Sequence, residues 1–158
     1  MRSQAAYRVR AITAADVDAW AALRSKLWPE FDAAQMRQEA VEHLARVSSL
    51  VTVAYLAESE GALPLGFIEL SLRAFSDGCE SMPVPHVEGW YVEPEARGKG
   101  TGRALMRAAE EWCAQRGYNE IASDTEIDNE ESLRAHERCG FQEVERLIKL
   151  RKQLRSAQ

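Results

Sequence analysis

Long apolar runs are missing from this chain of 158 residues. The best candidate, residues 50–57, has the length of a strand and falls well short of the roughly 20 apolar residues that a membrane-spanning helix needs. The first ten residues carry basic side chains but no apolar stretch of the kind found in a secretory signal. We therefore expect a cytoplasmic protein without a membrane partner.

Cysteine is also scarce. Cys79, Cys113 and Cys139 are widely spaced and odd in number, whereas a disulfide framework or a zinc site needs closer or paired spacing. We expect no metal. A nucleophilic cysteine would need an activating base nearby, so buried or neutral thiols are the simpler interpretation.

An excess of basic residues is lacking too. The chain has 25 acidic against 20 basic residues, a formal net charge of −5. Binding of nucleic acid requires a basic face, so we expect no nucleic-acid partner. A small cationic partner is compatible with the charge, because an acidic cleft attracts cations. With 46% hydrophobic residues, the chain is long enough for a single compact domain over residues 1–158.

The hydrophobic pattern alternates between the periods of strands and helices. A capping box at Thr13–Asp16, with Asp in place of the usual Glu or Gln, precedes the first helix. Predicted strands cover residues 7–12, 50–56, 65–72, 86–92, 120–124 and 141–150. Predicted helices cover residues 17–28 and 32–47, the segment from the glycine turn to Gly117, and residues 130–139. This order indicates an α/β or α+β domain built on one mixed sheet.

The most informative segment, residues 90–102, passes from a strand through a tight turn into a helix. Glycines at alternate positions allow backbone N–H groups to face inward, and the helix start adds unpaired donors and the positive end of its dipole. Arg97 and Lys99 add positive charge, so the turn suits a phosphate or pyrophosphate. Glycines alone would also suit an ordinary turn, and the spacing matches neither the dinucleotide fingerprint nor the P-loop.

Arg97-Gly98-Lys99-Gly100-Thr101-Gly102, followed by Arg-Ala-Leu-Met, resembles the pyrophosphate-binding loop of the GNAT superfamily of N-acetyltransferases, whose pattern is Q/R-x-x-G-x-G/A. Asn129, the helix after it and Cys139-Gly140-Phe141 resemble the superfamily's last helix and its terminal Gly-Phe. The resemblance implies a GNAT fold of class α/β (α+β), with a single mixed, mostly antiparallel sheet flanked by about four helices. It also implies acetyl-coenzyme A as the cofactor.

A narrower resemblance is to the aminoglycoside 6′-N-acetyltransferases. It rests on residues 23–29 with their Leu-Trp-Pro, on residues 87–92, on Ala122-Ser123-Asp124 and on residues 140–146. The resemblance implies transfer of acetyl to the 6′-amine of an aminoglycoside antibiotic, by direct attack in a ternary complex, with resistance as the outcome. It also implies a homodimer.

The same resemblance assigns roles to individual residues. The backbone of the strand would bind the acetyl-pantetheine end, the glycine loop the pyrophosphate, and the asparagine the pantetheine arm. These cofactor-binding residues are Trp90, Tyr91, Val92, Arg97, Gly98, Lys99, Gly100, Thr101, Gly102 and Asn129. The residues that would line the aminoglycoside site are Trp28, Phe75, Glu88, Asp124 and Glu145.

The expected chemistry requires an ammonium ion to lose a proton before its nitrogen attacks, and a carboxylate can accept that proton. Glu88 is the first candidate for this base and Asp124 the second. His136 stands where many GNAT enzymes have the tyrosine that protonates the departing thiolate. That acid is therefore His136 or a bound water.

Structural roles compete with several of these assignments. Trp28 would also fit a core position, Asp124 would also cap a turn, Glu145 would also suit a solvated strand, and His136 would also suit a helix surface. Two other functions stay open. One is acetylation of a polyamine, a peptide N-terminus or a lysine by the same fold, and the other is a non-catalytic acyl-coenzyme A sensor.

Overall fold

The computed structural model describes residues 7–46 and 51–154. The chain forms two compact units, Met1–Asp124 and Thr125–Gln158. The first unit contains one five-stranded sheet and three helices, and the second contains one helix followed by an extended segment.

The strands lie in the sheet in chain order. They are β1 Tyr7–Ala11, β2 Val53–Ser59, β3 Pro64–Arg73, β4 Val84–Val92 and β5 Ala122–Ser123. Neighbours from β1 to β4 are antiparallel, and β5 is parallel to β4. The helices are α1 Val17–Leu27, α2 Ala33–Leu44, α3 Thr101–Gln115 and α4 Glu130–Arg138. This architecture confirms the predicted mixed, mostly antiparallel sheet with about four helices.

The core of the first unit forms where two helices meet the central strands. Trp20 and Leu23 of α1 are buried with Leu56 of β2 and Phe67 of β3. Helix α3 packs across β1 to β4 through an apolar stripe that includes the buried Leu105. Burial of such side chains contributes about 1.5–3 kcal/mol each. Helices α1 and α3 both contact β4, the strand that carries Glu88, and their packing holds this part of the sheet in place.

Several boundaries differ from the predicted ones. Strand β2 begins at Val53 instead of residue 50, and helix α2 ends at Leu44 instead of residue 47; residues 47–50 lie outside the described residues. Helix α1 ends one residue early, at Leu27, because Pro29 lacks the N–H that would continue the helix. The predicted capping box is present, with the Thr13 N–H donating to the Asp16 carboxylate over 2.8 Å.

The predicted final strand over residues 141–150 was wrong. Residues 141–154 form neither helix nor strand, and the five-stranded sheet includes none of them. A strand requires a neighbour for its backbone N–H and C=O groups, and the hydrophobic pattern of a segment does not supply one. Apolar side chains are consequently exposed along this segment: Val144, Leu147, Ile148, Leu150 and Leu154.

Among residues 7–46 and 51–154, no helix combines the length and the apolar character required to cross a bilayer.

Candidate active site

Strand β4 is paired unequally on its two sides. On one side it pairs with β3 from Val84 to Val92, but on the other β5 reaches only His86 and Val87. Within the described residues, the later part of β4 therefore has one open edge. The N–H of Glu93 donates to Leu65 O over 2.8 Å, toward β3. Because peptide groups alternate along a strand, those of Val92 face the open edge.

The glycine loop follows directly from this open edge. A 3₁₀ turn, Pro94–Ala96, precedes it, and helix α3 begins at Thr101. Gly98 and Gly100 have φ angles of 70° and 89°, in the left-handed region that favours glycine. The first helical hydrogen bond of α3 runs from Ala104 N to Gly100 O over 2.9 Å. The N–H groups of the preceding turn are thus left at the helix N-terminus, where anions bind.

Arg97 connects this loop to the open edge of β4. Its Nε donates to Val92 O over 2.9 Å, and its guanidinium lies 5.8 Å from the centre of the Tyr91 ring. Lys99 is exposed beside it. The described loop therefore combines two cationic side chains with glycine backbone and a helix start, as a pyrophosphate requires.

Glu88 occupies a β-bulge in β4. Leu70 pairs with Val87 and Glu69 pairs with Gly89, so Glu88 is an extra residue between two paired positions. A bulge bends its strand and redirects side chains. Glu88 is only partly buried, although its neighbours Val87 and Gly89 are buried.

Three donors surround the Glu88 carboxylate. The Arg73 guanidinium binds it in a bidentate manner, with Nε to Oε1 and Nη2 to Oε2 both at 2.9 Å. The Ser71 hydroxyl also donates to Oε1. Burial opposes the charged form, but the hydrogen bonds from Arg73 and Ser71 outweigh it, so the pKa of Glu88 lies below its usual value. Glu88 is therefore a carboxylate at neutral pH.

His86 lies between the two carboxylates that were predicted to form the site. Its Nδ1 is 3.5 Å from Glu88 Oε1, and its Nε2 is 3.5 Å from Asp124 Oδ2. Burial lowers the pKa of His86, and the Arg73 charge lowers it further despite the two carboxylates. A neutral imidazole thus separates Glu88 from Asp124, whose side chain is 64% exposed.

Trp28 reaches this site from the end of α1. A Cβ atom on Gly89 would lie 2.8 Å from its Cη2, so glycine is required beside Glu88 for the indole to fit. The ring is partly buried, packs edge-on against Phe67 and lies 5.2 Å from the Arg24 guanidinium. Trp28 is therefore both a border of the core and a wall beside Glu88.

A buried ion pair supports that wall. Arg24 Nε lies 3.1 Å from Glu69 Oε2, and Trp20 Nε1 donates to the same oxygen over 3.0 Å. Burial raises the pKa of Glu69 to about 7, although Arg24 and Trp20 favour its charged form. Removing one partner of a buried pair destabilises a fold by about 3–5 kcal/mol, so Arg24 is held firmly behind Trp28.

Phe75 lies in the connection between β3 and β4, two residues beyond Arg73. Its side chain is 67% exposed. The same connection is fastened by Glu120, whose carboxylate accepts the N–H groups of Glu80 and Ser81 over 3.1 and 2.6 Å. Phe75 is thus exposed on a connection whose later part is held in place by Glu120.

The other predicted residues belong to the second unit. Asn129 caps helix α4, with its Oδ1 accepting the Ser132 N–H over 3.1 Å. His136 Nδ1 lies 2.8 Å from Ser132 O, and its ring packs edge-on against Phe141. A proton on Nδ1 suits that carbonyl, so His136 could act as an acid only as the imidazolium. Glu145 is exposed.

The first unit therefore brings together Trp28, Glu88 and Asp124, and it joins Val92 to the glycine loop. Sequence reasoning missed Ser71, Arg73 and His86, which contact these carboxylates. The sequence held a signal for His86, because it is two residues before Glu88 in a predicted strand and shares its face. Ser71 and Arg73 depend on the register between β3 and β4, which the hydrophobic pattern of either strand leaves open.

Within residues 7–46 and 51–154, no three metal-binding side chains are grouped so that they could hold a metal ion. Cys113 is buried, which raises the pKa of its thiol to about 11, and burial also raises the pKa of the Cys79 thiol. Neither thiol has the lowered pKa of an activated nucleophile.

Comparison with known proteins gives consistent matches. The model of the acetyltransferase (GNAT) family matches residues 18–141. An aminoglycoside N(6′)-acetyltransferase type 1 of Stenotrophomonas maltophilia is 40% identical over 144 residues, which are 90% of this chain and 91% of that protein. A protein of the same description from Klebsiella aerogenes is 38% identical over 146 residues, 92% of this chain and 96% of that protein.

Solved structures agree with these matches. The aminoglycoside N-acetyltransferase AAC(6′)-Iy in complex with CoA has a TM-score of 0.86 and 30% identity, covering 98% of this chain and 99% of that one. AAC(6′)-Iy in complex with the bisubstrate analog CoA-S-monomethyl-acetylneamine has a TM-score of 0.85 and 30% identity, covering 94% and 99%.

Proposed function

Because this chain belongs to the acetyltransferase (GNAT) family, we propose that it transfers the acetyl group of acetyl-coenzyme A to the 6′-amine of an aminoglycoside and thereby confers resistance. The observation that carries this proposal is the position of the Glu88 carboxylate. It lies on β4, just before the open edge that leads into the glycine loop, and Asp124 and Trp28 lie beside it. Carboxylates beside an aromatic wall suit a polycationic sugar.

The residues present fit acetyl-coenzyme A. Its pyrophosphate would be held by the backbone of residues 98–102 and by the side chains of Arg97 and Lys99. Its pantetheine arm would add to the open edge of β4 as a short extra strand, which takes up unpaired backbone groups. Asn129 of the second unit would contact the same arm. When bound, the cofactor supplies an acetyl group activated as a thioester.

Glu88 would prepare the amine. An amine whose pKa is about two units above the working pH costs roughly 2.7 kcal/mol to neutralise. The Glu88 carboxylate, ionised at neutral pH, accepts that proton. The acetyl oxygen also needs a backbone donor from this strand. Val92 N–H faces the open edge, whereas Tyr91 N–H faces β3. We therefore assign this role to Val92.

Trp28, Phe75, Asp124 and Glu145 would bind the aminoglycoside, and His136 or a water would protonate the departing thiolate. A His136 that donates Nδ1–H to Ser132 O would need a second proton for this task. We also propose that residues 1–158 form a single acetyltransferase domain and that the protein is cytoplasmic.

The proposal is tested by measuring thiol release from acetyl-coenzyme A with a panel of amines. We expect turnover with a kanamycin-type aminoglycoside at a kcat/KM well above that for spermidine, a peptide N-terminus or free lysine. Turnover confined to one of the other amines would assign the fold to that substrate. Coenzyme binding without turnover of any amine would indicate a sensor.

The Glu88 role is tested by Glu88→Gln. Loss of the proton acceptor should lower kcat/KM for the aminoglycoside by about 10²-fold, the lower range for general base catalysis, while the Kd for coenzyme A stays constant. Asp124→Asn should cause a smaller fall, because its exposed carboxylate can be replaced in part by water. Glu60→Gln, at an exposed position in the β2–β3 turn, is the matched control. Wild-type kinetics in both site variants would contradict the assignment.

The loop is tested by Gly100→Val. The valine would be strained at a φ of 89°, and its Cβ would lie 3.2 Å from the Tyr7 hydroxyl, so the backbone would shift away from its anion-binding position. We expect the Kd for coenzyme A, measured by calorimetry, to rise about tenfold or more. Gly117→Val is the control, since its φ of 81° imposes similar strain at the end of α3, with open space around it. Equal effects of the two changes would refute a role of the loop in binding.

We also propose that the protein is a homodimer. Support comes from the extended segment 141–154, whose exposed apolar side chains include Ile148 at 85% and Leu150 at 91%. A second copy would cover them and provide the missing strand partner. Light scattering should then give twice the chain mass of 17.7 kDa, and Ile148→Lys should shift the protein toward the monomer. A monomeric wild type at micromolar concentration would disprove the dimer.

A further inference from the structure

The two carboxylates assigned to the substrate already have a cation beside them. The Arg73 guanidinium binds both oxygens of Glu88, and its Nη1 lies 3.7 Å from Asp124 Oδ2. It therefore occupies the position between these carboxylates that an ammonium group of the substrate would take.

An ammonium ion and this guanidinium compete for the same oxygens. A carboxylate offers about four acceptor positions, and Arg73 and Ser71 use three of them on Glu88. A second cation at Glu88 would also be repelled by the guanidinium. While Arg73 is in place, only one acceptor position, on Oε2, is left for the amine.

Arg73 is suited to leave. It is the last residue of β3, where the chain turns into the exposed connection, and its side chain is 41% exposed. By contrast, the His86 side chain, which lies 3.5 Å from the same Glu88 carboxylate, is only 2% exposed. The Arg73 guanidinium is therefore reachable from solvent, and a ligand that carries several ammonium groups can compete for the same oxygens.

We propose that Arg73 is a resident counter-cation that the cationic acceptor displaces, and that it thereby lowers the affinity of the site for its acceptors. This inference rests on the proposed function. The displacement adds a constant cost to the binding of every acceptor, so it raises the KM of each by a similar factor. In the free protein, the Arg73 guanidinium provides a positive charge beside Glu88 and Asp124. Without it, the two carboxylates would have only the neutral imidazole of His86 between them.

A purely positioning role for Arg73 makes the opposite prediction. If Arg73 only orients Glu88, its removal leaves the carboxylate disordered, and the KM for the aminoglycoside rises or kcat falls. If Arg73 is displaced, its removal eliminates the competitor and the KM falls. The direction of the change in KM therefore separates the two roles.

The experiment compares Arg73→Gln with the wild type and with Arg8→Gln. Arg8 is 70% exposed on β1, at the other end of the strand order, and its substitution makes the same change in net charge. We expect Arg73→Gln to lower the KM for both kanamycin and spermidine by about fivefold, the scale of a partly exposed ion pair. Arg73→Lys should give an intermediate KM, and Arg8→Gln should give the wild-type value.

Chemical rescue provides a second measurement, because a purely structural role of Arg73 predicts no increase in the KM of Arg73→Gln when a small guanidinium ion is added. Millimolar methylguanidinium should raise the KM of Arg73→Gln back toward the wild-type value, whereas sodium at equal ionic strength should not. An unchanged or raised KM in Arg73→Gln, with normal wild-type turnover, would overturn the displacement and leave the proposed function intact. A wild type that binds coenzyme A but acetylates no aminoglycoside would overturn both.

Discussion

Strand β4 is hydrogen-bonded to β3 along its whole length but to β5 over only two residues, and most of the site depends on this difference. Directly after the two residues that β5 reaches, a bulge leaves Glu88 without a partner in β3, and its side chain is only partly buried. Where β5 is absent among the described residues, the peptide groups of Val92 are available to a ligand, and Arg97 already binds its carbonyl. The same strand thus presents a proton acceptor and a cofactor edge a few residues apart.

The acidic site is built on a rigid base. Glu69, Arg24 and Trp20 form a buried ionic and hydrogen-bonded group behind Trp28. A buried ionic group of this kind adds little net stability. It allows few alternative side-chain arrangements, because loss of one partner leaves a buried charge without compensation. Trp28 is therefore packed between the Arg24 guanidinium and Gly89. The wall beside Glu88 is preorganised, while Arg73 above it is partly exposed and free to exchange.

The distribution of charge on this protein is consistent with the proposed displacement of Arg73 by a cationic acceptor. The net charge of −5 attracts polycations over a distance, but the single charge of Arg73 already compensates part of the charge of the two carboxylates that would receive them. Long-range attraction and local competition thus arise from different groups. Attraction comes from the whole surface, and the final step requires a ligand that competes with a guanidinium for Glu88. His86 completes the arrangement by keeping a neutral spacer between Glu88 and Asp124.

The sequence by itself determined the order of most elements and the glycine loop, because periodicity and φ preferences are local properties. Glu88 and Asp124 came from the resemblance to the aminoglycoside 6′-N-acetyltransferases, and their roles stay predictions. Only the tertiary structure decided which donors meet these carboxylates. The register of β3 against β4 brings Ser71 and Arg73 to Glu88, and a bulge that no propensity predicts redirects its side chain. Residues 141–150 have the hydrophobic pattern of a strand but join no strand of the sheet. A strand depends on hydrogen bonds to a neighbouring strand, and the sequence of the segment does not determine whether such a neighbour is present.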